Sequence, residues 1–136
     1  VFNGDAGYAK AMPAYLLLGA SDTSWGSIPL PFDMAAIGAP TCFIVNDLLF
    51  VVNGLTDAAG QVSWTIGIPA TTTLEGQQFY SQLAFIDAGA NGLGGYMSNG
   101  QRDIIGGALG GTRIYATINS TSGSVGRAYG MAVGFN

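Results

Sequence analysis

Histidine is absent from this 136-residue chain, and with it go Ser-His-Asp and Cys-His triads and most zinc and haem sites. Hydrolytic chemistry would fall to eight carboxylates, Asp5, Asp22, Asp33, Asp47, Asp57, Glu75, Asp87 and Asp103, which are scattered among turn sequences with no spacing that pairs two of them. No enzymatic activity and no cofactor are expected. Basic residues are scarce too: four Lys and Arg, unclustered, leave a net charge of −4 and no electrostatic footprint for nucleic acid. Charged residues make up 9% of the chain, where an average domain has about 25%, and so thin a charged surface favours burial between subunits over a freely dispersed monomer. Long apolar runs are missing. The strongest, CFIVNDLLFVVNGL at 42–55, is interrupted by Asn46, Asp47 and Asn53, well short of the about 18 residues a spanning helix needs. The single Cys42 has no intrachain partner, which leaves a buried inert thiol or an intermolecular bridge. Neither an initiator Met nor a signal peptide precedes Val1, as in a processed secreted chain or an excerpt from a longer one.

What is present is apolar and glycine-rich: 49% hydrophobic residues and 22 Gly. That composition is too apolar and too uncharged for disorder, and it predicts one compact, turn-rich domain. Alternation with period 2 recurs, as half-buried antiparallel strands require. At 61–68, Val62, Trp64, Ile66 and Ile68 share a face opposite Ser63, Thr65 and Gly67. At 77–87, Phe79, Leu83 and Phe85 oppose Tyr80, Gln82, Ala84 and Ile86; two partly apolar faces predict a central strand. Shorter strands are expected at 14–19, 43–45, 48–53 and 97–105, with TDAAG (56–60) as a hairpin loop and AGANGLGG (88–95) as a turn. No segment keeps a helical period free of Gly and Pro. The expected fold is all-β, an antiparallel sandwich of jelly-roll or immunoglobulin-like type.

Few residues qualify as binding candidates. Asp87 and Asn91 in DAGANG offer oxygen ligands for Ca²⁺, but the spacing of a calcium loop is missing and Asx residues among glycines are first of all turn formers. Gly92, Gly94 and Gly95 match no phosphate loop, since neither helix nor Lys follows. Among Trp25, Tyr80, Tyr96 and Trp64, the alternating Trp64 belongs to a core, whereas Trp25 in SDTSWGSIP is the candidate for an exposed, sugar-stacking face or else a structural plug. Asn119 heads an Asn-Ser-Thr sequon, and STSGS is rich enough in hydroxyls for O-linked sugar.

Four stretches carry a resemblance: AYLLLGASDTSWGSIPLPFD (14–33), GAPTC (38–42), LEGQQFYSQLAFIDAGANGLGGYMSNG (74–100) and DIIG (103–106). Together they resemble a small β-sandwich module that recurs, often near the C-terminus, in large secreted bacterial proteins of planctomycete and myxobacterial type. The resemblance implies a β-sandwich and an extracytoplasmic setting, and no chemistry. In that module the cysteine after GAP often has an upstream partner; here it has none.

The module would stop near residue 106, and this chain continues. In 107–136, Ile114, Ala116 and Ile118 alternate, and then Arg127, Tyr129, Met131, Val133 and Phe135 share a face opposite Ala128, Gly130, Ala132 and Gly134. These look like two strands that the module ordinarily carries before AYLLLG and that are not visible in VFNGDAGYAKAMP, so the order reads as permuted. Such a tail can complete its own sandwich, enter the next subunit, or belong to a tandem array. The leading expectation is a single domain (1–136; body 14–106) serving as a structural subunit of an extracellular filament or surface layer. In it, residues 111–135 of one copy complete the next, so the partners are identical subunits. Alternatives are a secreted module that binds surface glycans or calcium through Trp25 and the 88–95 loop, and a jelly-roll viral coat protein.

Overall fold

In a computed structural model the structure describes residues 1–106 and the backbone of 114–118. Among these residues the fold is all-β, with every strand pair antiparallel and only two short 3-10 turns, Met34–Ile37 and Thr72–Leu74.

The principal sheet is built around AYLLLG and QFYSQLAFI. Strand β2 (Pro13–Gly19) sits between β7 (Phe50–Leu55) and β9 (Gln78–Ile86); β9 is flanked on its other side by β10 (Gly95–Met97) and β11 (Gln101–Ile105), and β12 (Ile114–Ile118) closes that side. The central position expected of the 77–87 segment is the one it takes. A strand covered on both faces and both edges needs apolar residues at consecutive positions, and β9 has them.

Each face has its own cover. Ala14, Leu16 and Leu18 of β2 share a face with Val52, Phe79, Leu83 and Phe85. Against it packs a ribbon of β1 (Phe2–Asp5) and β8 (Gln61–Trp64), which contributes Phe2, Val62 and Trp64. Trp64 is core, as its alternation predicts. The alternation continues through half-buried Ile66 and Ile68, although the strand itself ends at Trp64. Leu16 and Phe85 are almost fully buried, each contributing roughly 1.5–3 kcal/mol in gross transfer terms. The opposite face receives the 30–48 segment: Met34, Ala39, Cys42 and Ile44 form a second cluster with Leu30, Phe32, Leu48 and Met97, and β5 (Phe32–Asp33) pairs with β6 (Phe43–Ile44). Cys42 is a free, buried thiol. Tyr96 packs against both clusters, its ring stacked on Phe85 with centroids 5.3 Å apart.

Three expectations need correction. VFNGDAGYAKAMP does hold a strand, β1, hidden because Gly4 occupies one of its two buried positions; a Cβ there would meet Leu83 Cδ1 at 2.7 Å. The 97–105 segment divides at Ser98–Gly100 into β10 and β11, which lie end to end along β9. Finally, TDAAG is a corner and not a hairpin, for β7 pairs with β2 while β8 pairs with β1 in the covering ribbon. The Thr56 hydroxyl donates to the Lys10 carbonyl and accepts the Met12 N–H (2.8 Å), which holds the chain where it changes layer. Gly60, with φ +83°, completes the corner, and a Cβ would run into the Tyr8 carbonyl oxygen.

Candidate functional site

The polar residues that fold inward serve the architecture. Gln82 is fully buried on β9; its Oε1 accepts from the Val45 N–H (3.2 Å) and its Nε2 donates to the carbonyls of Phe43 (2.6 Å) and Ser98 (2.8 Å). Asn46 donates to the Leu17 carbonyl (3.2 Å) and accepts from the Leu48 N–H (3.1 Å). Two side-chain amides therefore pin the 43–48 segment to the sheet. Asp103 on β11 is wholly buried and accepts hydrogen bonds from the Ser81 hydroxyl (2.8 Å) and Gln101 Nε2.

Burial raises the Asp103 pKa above the usual carboxylate range, and the two hydrogen bonds only partly oppose it. Because the folded value lies above the unfolded one, this group stabilises most below the unfolded pKa, and the contribution is lost as pH rises through the folded value. Asp103→Asn can keep both hydrogen bonds, accepting from Gln101 and donating to Ser81. We therefore expect it to unfold at the same or a higher temperature than the parent at pH 7, with the order reversing towards pH 4. Paired thermal melts across that range check this, and a constant difference would contradict it.

The calcium candidates are spent on their own turn and its neighbours. Asn91 Oδ1 accepts from the Gly94 N–H (2.9 Å) and its Nδ2 donates to the Gly95 carbonyl (2.6 Å). Asp87 receives Lys10 Nζ at 2.7 Å, the Tyr8 hydroxyl and the Gly89 N–H (3.1 Å). The Lys10 ammonium, followed by Tyr8 and Gly89, lowers the Asp87 pKa to about 2, while the bond to Asp87 is the largest cause raising that of Tyr8. The result is a latch between the 6–12 segment and the 87–95 loop, whose Asp87 carboxylate stays ionised until pH falls towards that value. Among the described residues no group of three His, Cys, Asp or Glu is placed to hold a metal ion.

Trp25 lies at the tip of a small hairpin, β3 (Ser24–Trp25) with β4 (Ile28–Pro29), and is 37% exposed across from an equally exposed Ile28. No helix among the described residues is long and apolar enough to cross a membrane.

The feature that stands apart is a sheet edge. Among the described residues β7 ends the principal sheet and is paired on one side only. The Thr56 N–H turns inward to the Met12 carbonyl (3.0 Å), so ladder parity directs the N–H and C=O of Val51, Asn53 and Leu55 outward. Of these, the Asn53 carbonyl accepts from Trp64 Nε1 (3.1 Å). Leu49, Phe50, Val51 and Leu55 are 57%, 69%, 53% and 67% exposed. Natural edges of this length are blunted with charge, Pro or a covering segment; β7, FVVNGL, has neither charge nor Pro. Nothing in its composition distinguishes it from a buried strand, so the sequence did not single it out as a site.

Of the tail candidates, Ile114 and Ile118 bound β12 and pair with Ile105 and Gln101. Arg127, Tyr129, Met131, Val133 and Phe135 lie outside the described residues. Comparison with known proteins adds no relative, since no family model, curated protein or solved structure matches the chain.

Proposed function

We propose that this chain is a structural subunit of an extracellular filament or surface layer, held together by strands exchanged between copies. The observation that carries the reading is the apolar edge of β7, without a strand neighbour among the described residues, in a chain with so few charges. An edge of unpaired backbone groups rimmed by Leu49, Phe50, Val51 and Leu55 is a template for another strand. The tail of the same chain supplies one in sequence, Arg127–Phe135, with four large apolar residues at alternate positions. Burying those four contributes roughly 1.5–3 kcal/mol each in gross terms, enough to outweigh an association cost of about 4–15 kcal/mol in favourable cases. The extracellular setting rests on the resemblance to modules of secreted proteins. Sedimentation velocity and negative-stain microscopy over a concentration series test the proposal. Elongated particles that grow with concentration are expected, and a single 13.9 kDa species throughout would refute it.

A second reading has its own observation in the exposed Trp25 at the hairpin tip, an aromatic side chain of the kind that stacks on sugar rings. It predicts that Trp25→Ala abolishes binding to surface glycans while shifting stability by only about 0.5 kcal/mol, as surface substitutions do. Glycan-array binding with parallel melts checks it; a large fall in stability without glycan binding by the parent would assign Trp25 to packing.

A further inference from the structure

We infer that the free edge of β7 is the acceptor for residues 127–135 of a second copy, joined head to tail. The inference rests on the subunit reading above and deepens it, fixing which copy's tail the edge receives and how the tail lies there.

The first argument is reach. Register runs in one row from Ile118 through Gln101, Ser81 and Leu18 to Phe50, so the chain leaves β12 at the end of the sheet where β7 begins. Three strands, β11, β9 and β2, lie between those edges. A strand added outside β7 would stand five spacings from β12, about 24 Å in a straight line. From Ile118 to Arg127, across NSTSGSVG, the chain spans at most about 32 Å when fully drawn out, which leaves about 8 Å for passing round the segments packed at that end, Asn46–Leu48 among them. The Ser, Thr, Asn and Gly content of NSTSGSVG is that of a turn and not of a taut tether. The tail of a neighbouring copy is under no such constraint.

The second argument is shape. At the Gly54 end of β7 the ribbon side is closed, because the Trp64 ring stands over Gly54, where a Cβ would lie 2.7–2.8 Å from the indole, whereas Phe50 on the same side at the other end is 69% exposed. On the other side Val51 and Leu55 stand open beside Leu49. A strand laid along this edge needs small residues towards Trp64 and large apolar ones away from it. Ala128, Gly130, Ala132 and Gly134 against Tyr129, Met131, Val133 and Phe135 is that pattern. With Asn53 C=O already taken by Trp64, pairing centres on Leu49–Val51.

Direction follows from topology. The tail departs from β12 and the acceptor is β7, at opposite ends of the described strand order, so a contact between the tail of one copy and β7 of the next is heterologous, and successive copies extend an open, polar chain unless the rotation closes.

The test compares full-length parent with the double variant L49K/V51K, whose substituted positions are exposed in the single subunit, by sedimentation velocity and thermal unfolding. We expect the variant to keep the parent's melting temperature and to need at least tenfold higher concentration for assembly. Assembly at an unchanged concentration would overturn the β7 assignment while leaving the subunit reading intact; a parent that stays monomeric throughout would overturn both. Should the variant melt early, V51C copies mixed under oxidising conditions with mass-tagged copies bearing a cysteine scanned through 128–134 decide the matter. A disulfide between differently tagged copies supports the assignment. A disulfide absent from that mixture but formed within a single chain when V51C and the scanned cysteine are combined in it overturns the assignment.

Discussion

Gln82→Leu is expected to lower stability by about 3 kcal/mol or more. The change puts an apolar side chain of similar size in a buried place, so packing alone would predict little. What it removes is a set of three hydrogen bonds to the Val45 N–H and the carbonyls of Phe43 and Ser98. Each buried group left without a partner costs about 1–3 kcal/mol. The loss should also loosen one region selectively, because Gln82 and Asn46 hold the 43–48 segment against β9 and β2. Denaturant unfolding gives the magnitude, and hydrogen exchange should show Val45 and Leu48 losing protection before the amides of β2. A loss below about 1 kcal/mol would mean that the segment is held by the Met34–Ile44 cluster instead.

Met131→Asp carries the second large effect, this time on assembly. If the tail strand lies on β7 of a neighbour, the substitution buries a carboxylate without a counter-charge. Such a burial costs about 3–5 kcal/mol, or roughly a hundredfold or more in the concentration needed to assemble. Ala132→Ser, on the small-residue side, should shift that concentration by less than about tenfold. Turbidity or sedimentation across a dilution series separates them. Equal behaviour of the two variants would mean that the alternation of 127–135 does not face an interface.

How far these features could be read beforehand depended on whether a signal was local. Central placement of β9 was legible because FYSQLAFI carries apolar residues on both faces, and Trp64 was legible because it alternates with Val62 and Ile66. The antiparallel, all-β character followed from the same periodicity. Strand β1 escaped since Gly4 has no side chain to mark its buried position. The corner at TDAAG carries the same Asp and Gly that a hairpin would; only the contact of Thr56 with Met12, 44 residues earlier, makes it change layers. Gln82 looked like an ordinary polar residue of an alternating strand, its role set by Phe43 39 residues away. The edge was invisible for the opposite reason: FVVNGL has the composition of a buried strand, and whether a strand has one neighbour or two is decided by topology.

The central claim is that copies join through the β7 edge, and the most direct measurement is a density map of the assembled protein, with residues 119–136 traced from the end of β12. The account predicts residues 127–135 running beside Leu49–Val51 of the next copy, with Tyr129, Met131 and Val133 on the side away from Trp64. A map in which those residues return to their own sheet and β7 stays bare, or a preparation that yields only single 13.9 kDa particles, would contradict it.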